Sequence, residues 1–93
     1  MSISLTKVAS KLRLSPQELK RRSLEAYFQQ ELRQIQAEIL RICNQYDVTG
    51  EDGMLARYQS GELPEEGTWE DFFRLDHLEA RRKELENLLQ SLP

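Results

Sequence analysis

The chain has 93 residues and a mass of 11.0 kDa, which is the size of one small domain. Its mean hydropathy of -0.67 and its 31% charged residues are typical of a protein in water, and no apolar run approaches the roughly 18 residues of a membrane span. The single cysteine, Cys43, excludes an internal disulfide and a cysteine zinc site, and a reducing cytoplasm is the expected compartment.

The net charge of -3 is unevenly distributed along the chain. Residues 1–23 carry six lysines and arginines against one acid, a net charge of +5, whereas residues 24–93 carry seven against fifteen acids, a net charge of -8. This asymmetry is typical of a basic segment that binds an anionic partner and of an acidic body that binds a basic one. A solvated surface with unevenly placed charges explains it equally well.

Residues 1–14 are expected to form a basic N-terminal arm or a short helix. Leu5, Val8 and Leu12 recur at helical spacing, and Ser4 is a suitable N-cap, so a helix is predicted over residues 4–12.

Residues 15–46 contain the first long helix, predicted over 16–46. Ser15 as N-cap, Pro16 at the first helical position and Glu18 closing a capping box mark its start. Apolar residues then follow at spacings of four and three, which is the pattern of a helix packed along its length; they are Phe28, Leu32, Ile35, Ile39, Ile42 and Tyr46. Further apolar residues are expected to widen this seam, namely Leu24, Tyr27, Ala37 and Cys43.

Residues 47–68 are a connection with a short helix of its own, predicted over 51–59. Thr49 is the expected cap and Gly61 the expected stop. Apolar side chains of this helix should pack against the long helices; they are Met54, Leu55 and Tyr58.

Residues 69–90 form the second long helix, capped by Thr68 and with an apolar face rich in leucine. The predicted fold is therefore all-α: an antiparallel hairpin of two long helices with a short N-terminal and a short connecting helix, forming one domain over residues 1–93. Two helices cover each other's apolar faces poorly, so a homodimer that completes a four-helix bundle is also expected.

Apart from paired carboxylates in a loop (Glu65 and Glu66) and at a helix start (Glu70 and Asp71), which disfavour a hydrolase by their placement, the sequence contains no motif of catalysis or cofactor binding. His77 has Phe73, Arg74, Ala80 and Arg81 at the positions where a metal site on a helix places further ligands. A Ser/His/Asp triad is not expected either, and no glycine-rich phosphate loop is present. We expect no enzyme activity, no cofactor and no metal.

The basic segment 7–22 offers a nucleic-acid alternative. Residues 8–19 resemble the sequence pattern of helix-turn-helix regulators. Two features depart from that pattern: Arg13 stands at a turn position where glycine is common, and the following helix is unusually long. Phosphates would be neutralised by five side chains, Lys11, Arg13, Lys20, Arg21 and Arg22. A membrane surface is disfavoured as a partner because aromatic residues do not alternate with these basic ones.

Three stretches carry a family resemblance. They are LSPQEL at 14–19 leading into SLEAY at 23–27, YDVT at 46–49 leading into GELPE at 61–65, and WEDFFRLDHLE at 69–79. In this order they resemble small all-helical proteins of archaea and cyanobacteria, many of which look like the antitoxin of a toxin–antitoxin pair. The resemblance implies a non-enzymatic protein that binds and masks a small toxic partner, often an RNase.

The aromatic start of the second long helix is the predicted partner-binding surface. Its anchors are Trp69, Phe72, Phe73 and Tyr58, and its charged rim consists of Glu65, Glu66, Glu70 and Asp71. Alternatively, Trp69 and Phe72 close the end of the hairpin against Met54, Leu55 and Tyr58.

Overall fold

A computed structural model describes residues 4–93; residues 1–3, which begin the expected N-terminal arm, lie outside the described part. Every regular element of residues 4–93 is a helix, which confirms the all-α prediction: α1 spans Leu5–Lys11, α2 Pro16–Tyr46, α3 Glu51–Ser60 and α4 Trp69–Gln90. The bounds of α2 and α4 agree with prediction. Helix α1 is one residue shorter at each end, because Ser4 and Leu12 are its caps, and α3 is one residue longer.

Helices α2 and α4 lie side by side in opposite directions. Tyr46 at the end of α2 contacts Asp71 at the start of α4, whereas Leu24 near the start of α2 shares a cavity with Leu92. Between these points, Arg74 donates two hydrogen bonds of 2.9 Å to the carboxylate of Glu38. The core between the helices is formed by Leu32, Ile35, Ile39, Ile42, Cys43, Met54, Leu75, Leu78 and Leu85.

The apolar seam of α2 is buried in the middle of the helix and exposed towards its start. Leu24 and Tyr27 are 37% and 53% exposed, and Ala37 is exposed on the outer face. The expectation that these three residues widen the buried seam is wrong. Helix α4 ends at Gln90, close to the start of α2, so it covers the first turns of α2 only in part.

Local caps fix the start of the chain as predicted. The Ser4 hydroxyl accepts from the Lys7 backbone N–H, and the Ser15 hydroxyl accepts from that of Glu18 at 3.0 Å. The predicted capping box is not completed as expected, because the Glu18 carboxylate accepts from Arg21 and Arg22 instead.

Of the two predicted threonine caps, Thr49 is wrong, whereas Thr68 is confirmed as the N-cap residue of α4. Gly50 is the N-cap of α3, and the backbone N–H of Glu51 donates to Glu79 on α4 at 3.3 Å. Thr68 does occupy the N-cap position of α4, but its hydroxyl donates to the Pro64 carbonyl and contacts the Tyr58 hydroxyl at 2.8 Å. Tertiary contacts therefore replace the expected local caps.

Helix α3 is held between the two long helices. Met54 is fully buried against them, and the Arg57 guanidinium donates to the Tyr46 carbonyl at the end of α2. Gly61 ends α3 with φ of 79°, a left-handed conformation that glycine adopts at no steric cost, as predicted for a stop at this position.

The fold converts the uneven charge of the sequence into two oppositely charged ends. One is the aromatic end, residues 47–73, which carries eight acids against Arg57, a net charge of -7. The other is the basic end, residues 4–24, which carries six lysines and arginines against Glu18, a net charge of +5. The molecule measures 60 × 27 × 17 Å, and α2 separates the two ends along its long axis.

Candidate protein-interaction site

Four aromatic rings of α3 and α4 form a continuous chain at the aromatic end. Tyr58 meets Phe72 at a centroid distance of 5.7 Å, and Phe72 meets Phe73 at 5.7 Å. Trp69 meets Phe73 at 5.6 Å, and all three contacts are edge-to-face. Such contacts are favourable beyond the area that they bury, so each ring fixes the orientation of the next.

The rings differ in how far they are buried. Phe72 and Tyr58 pack against the core, as expected of residues that close the end of the hairpin. Trp69 and Phe73 are 48% and 57% exposed. The prediction that aromatic rings close the end of the hairpin therefore holds for Phe72, which packs against the core. It does not hold for Trp69, which is exposed to solvent together with Phe73.

A shallow cavity of about 330 Å³ lies among these rings. Leu55 forms part of its wall and is 45% exposed, so the prediction that this residue packs against the long helices holds only in part. The cavity is apolar apart from one carboxylate, and its complete lining is Leu55, Tyr58, Glu65, Trp69, Phe72 and Phe73.

Three of the four predicted rim acids are exposed beside the rings, namely Glu65, Glu66 and Glu70. The fourth, Asp71, is half-buried and accepts a hydrogen bond from the Tyr46 hydroxyl of α2. This hydrogen bond and then burial raise the pKa of Tyr46 to about 12.

Glu62 is a further acid of the rim that was not predicted from the sequence. It is exposed, and its carboxylate lies 3.6 Å from the Arg57 guanidinium. The signal that could have found it is its place directly after Gly61, since the turn that ends α3 brings this acid back beside the arginine of the last helical turn.

A comparison with known protein families matches residues 1–93 to a family described as the uncharacterized protein MJ0235 family. The chain belongs to this family. The match covers the whole sequence but says nothing of antitoxins. No curated protein and no solved structure matches the chain.

The basic end of this family member presents fewer available cations than its sequence implies. Lys11, Arg13 and Lys20 are exposed and form no ion pair within residues 4–93. Arg21 is paired with Glu18 at 2.9 Å and with a second glutamate at 2.8 Å, and Arg22 is paired with Glu18 at 2.8 Å. Two of the five predicted phosphate contacts therefore have intrahelical carboxylate partners.

Arg13 adopts the left-handed conformation, with φ of 60°, between α1 and α2. A turn position where glycine is common was predicted here, and the positive φ of Arg13 confirms it, because glycine adopts such angles most readily. Helices α1 and α2 are thus joined by a tight turn that leaves the Arg13 side chain in solvent.

The groups most suited to chemistry are dispersed. Within residues 4–93 no cluster of three or more His, Cys, Asp or Glu side chains is arranged to hold a metal ion. Cys43 is buried in the core, and this burial raises the pKa of its thiol. The helices described for residues 4–93 do not include one of the length and apolarity needed to cross a membrane.

Proposed function

We propose that this chain is a non-enzymatic protein-interaction module whose aromatic end binds and masks a basic protein partner. The observation that carries the proposal is the exposure of Trp69 and Phe73, two rings in edge-to-face contact, of which Phe73 also packs on Phe72. Large aromatic side chains held in place before binding lose little conformational freedom when a partner covers them. Aromatic anchors surrounded by a charged rim are typical of the centre of a protein interface.

The charge of the aromatic end favours a basic partner. This end carries a net charge of -7 and includes an apolar cavity with Glu65 in its lining, so a cationic protein would gain long-range attraction as well as apolar contact. A small toxic RNase meets this description, since enzymes that bind RNA are commonly basic on the surface that meets phosphates. The resemblance to antitoxins implies the same class of partner, and we place both proteins in the cytoplasm.

The test is to purify the chain together with any small basic protein that a neighbouring gene encodes, and to measure binding and RNase inhibition. Trp69→Ala should weaken binding by about 30-fold or more, the size of effect expected for an interface anchor. Its thermal stability should change little, because the Trp69 ring is 48% exposed. Replacing Glu65, Glu66 and Glu70 by Gln should slow association and flatten its salt dependence.

Leu40→Ala is the matched control. Leu40 is 60% exposed on α2, outside the aromatic end, so its truncation should leave binding unchanged. If Trp69→Ala and Leu40→Ala bind the partner alike, or if the adjacent basic protein neither binds nor is inhibited, the proposal is wrong.

We also propose that the free chain is a homodimer. This proposal is based on the exposed start of the apolar seam of α2, where Leu24 and Tyr27 are 37% and 53% exposed. Sedimentation of the purified chain over a concentration series tests this. A monomer at every concentration would contradict it.

The nucleic-acid alternative rests on Lys11, Arg13 and Lys20, which are exposed at the basic end. If it is correct, a mixed-sequence DNA duplex or RNA strand binds at about 50 mM salt. Replacing these three residues by Ala should then reduce the slope of log K against log salt by roughly 0.9 for each lost DNA phosphate contact. Absence of binding at that salt concentration would exclude this alternative.

A further inference from the structure

The hairpin exposes much more surface than a compact protein of its mass. Its radius of gyration is 19.3 Å, against about 12 Å for a compact domain of this length. Its accessible surface is 7086 Å², whereas a compact monomer of 11.0 kDa exposes about 5,600 Å². The excess of about 1,500 Å² per chain is larger than the roughly 800 Å² that each partner buries in a standard protein interface. A second copy of the chain could therefore cover part of it.

The two ends of the molecule are complementary in charge. The aromatic end carries a net charge of -7 and the basic end one of +5, with α2 between them. Two copies that pair like end with like end bring charges of the same sign together at both ends. Two copies that run in opposite directions place a basic end beside an aromatic end twice.

The two ends also complement each other in surface shape and polarity. The basic end has a cavity of about 440 Å³ whose lining combines the apolar side chains of Leu24 and Leu92 with the cationic side chains of Lys20 and Arg21. The aromatic end offers the exposed rings of Trp69 and Phe73 beside rim glutamates. Each end therefore combines exposed apolar surface with charge, and the sign of the charge is opposite.

We propose that the homodimer is antiparallel, with the basic end of each copy lying against the aromatic end of the other. This inference rests on the proposed homodimer and adds its orientation and its contact surfaces. A two-fold axis repeats the same contact twice and leaves neither pair of ends open, whereas a head-to-tail contact would continue into a filament. A basic protein partner then competes with the second copy for the aromatic end, so partner binding releases the dimer.

Charge reversal tests the contact itself. The basic-end variant carries Lys7→Glu, Lys11→Glu and Lys20→Glu, and the aromatic-end variant carries Glu65→Lys, Glu66→Lys and Glu70→Lys. All six side chains are exposed. Each variant alone should raise the dimer dissociation constant at least about tenfold. An equimolar mixture of the two should recover dimer formation, because one end contact then keeps its native charges and the other sets the introduced glutamates against the introduced lysines. Arg33→Glu, an exposed reversal in the middle of α2, is the control and should leave the dimer intact.

Distances between labels test the orientation. Ser10 on α1 and Gln59 on α3 are exposed and lie at opposite ends of the molecule. Each is replaced by Cys in a Cys43→Ala background and spin-labelled. An antiparallel dimer gives a short distance between Ser10→Cys of one copy and Gln59→Cys of the other, and a long distance between two Ser10→Cys labels.

Salt gives a third readout. The antiparallel dimer should dissociate more readily between about 50 mM and 500 mM salt, because salt screens the attraction between its ends. A monomer at all concentrations contradicts the homodimer and this inference together. A dimer with a short distance between two Ser10→Cys labels, or one strengthened by salt, overturns only the antiparallel orientation.

Discussion

The aromatic end and the basic end are held together by different kinds of contact. At the aromatic end, Tyr46 of α2 donates to Asp71 of α4, and Arg57 of α3 donates to the Tyr46 carbonyl. These partners lie 25 and 11 residues apart. At the basic end, Ser15 caps Glu18 and Arg21 pairs with Glu18, each over three residues. The first end depends on the whole fold, whereas the second is stabilised within its own helix.

This difference predicts how each end opens. Contacts between distant residues form only when the core forms, so the aromatic end should unfold together with α2 and α4. The helix start at the basic end can fray and reform while the core stays intact, since Leu5 and Leu12 are 46% and 56% exposed. The contrast can be tested at three scales of effect.

The largest effect is expected from Met54→Ala. Met54 is fully buried between α3 and the long helices, so its truncation removes apolar burial and leaves a cavity at a cost of about 2–5 kcal/mol. Urea unfolding measures the loss. Leu12→Ala at the basic end is the control and should cost under about 0.5 kcal/mol. Equal losses for the two variants would contradict the contrast between the ends.

A smaller effect is expected from Tyr46→Phe. This change removes the hydroxyl that donates to Asp71 and keeps the ring, so it should destabilise the fold by about 1 kcal/mol. Amide hydrogen exchange should become faster in α3 and at the start of α4, and remain unchanged in α1. Tyr27→Phe, at a ring that is 53% exposed, is the matched control and should change neither stability nor exchange. Faster exchange in α1 alone would mean that the hydroxyl does not hold the aromatic end.

The smallest effect concerns pH, and it has opposite signs at the two ends. Hydrogen bonds from Arg21 and then Arg22 lower the pKa of Glu18 from 4.5 to about 2. The basic end is therefore stabilised above pH 4.5, and this stabilisation is lost as the pH falls towards 2. In Glu18→Gln the melting temperature should depend less on pH across that range. An unchanged acid profile would show that these exposed ion pairs contribute nothing measurable.

At the aromatic end, the pKa of Glu51 is raised to about 7, first by a hydrogen bond with Asp76 and then by burial and neighbouring carboxylates. The stabilisation that protonated Glu51 provides is complete below pH 4.5 and is lost as the pH rises through about 7. The melting temperature of the native chain should therefore fall relative to that of Glu51→Gln across this range. Parallel melting profiles for the two proteins would contradict the shift.

The same contrast explains how much of the fold could be predicted from sequence. The caps Ser4 and Ser15 and the start of α2 at Pro16 were predicted correctly, because a cap depends on residues three positions away. Thr49 and Thr68 looked equally suitable, yet Thr49 is not a cap, and Thr68 stands at the N-cap position without a side-chain hydrogen bond to its helix. A sequence pattern does not show that Glu79 of α4 will accept from the start of α3.

The candidate site was predictable to a similar extent. Trp69, Phe72 and Phe73 were expected together because residues three and four apart share a helix face. The contact of Tyr58 with Phe72 depends on where α3 lies, as does the exposure of Trp69. Asp71 was predicted to lie in the rim because acidic residues are typical of a charged rim. Its hydrogen bond with the Tyr46 hydroxyl could not be predicted, because Tyr46 lies 25 residues earlier in the chain.

The distance between the charged ends bears on how the protein behaves on ion-exchange resins. A sequence pI of about 5.2 predicts retention by an anion exchanger alone at neutral pH. The molecule is 60 Å long, however, and charges are screened beyond about 8 Å in physiological salt, so a resin bead interacts with one end at a time. We therefore expect the folded monomer to bind a cation exchanger through its basic end as well, at a pH where its net charge is negative.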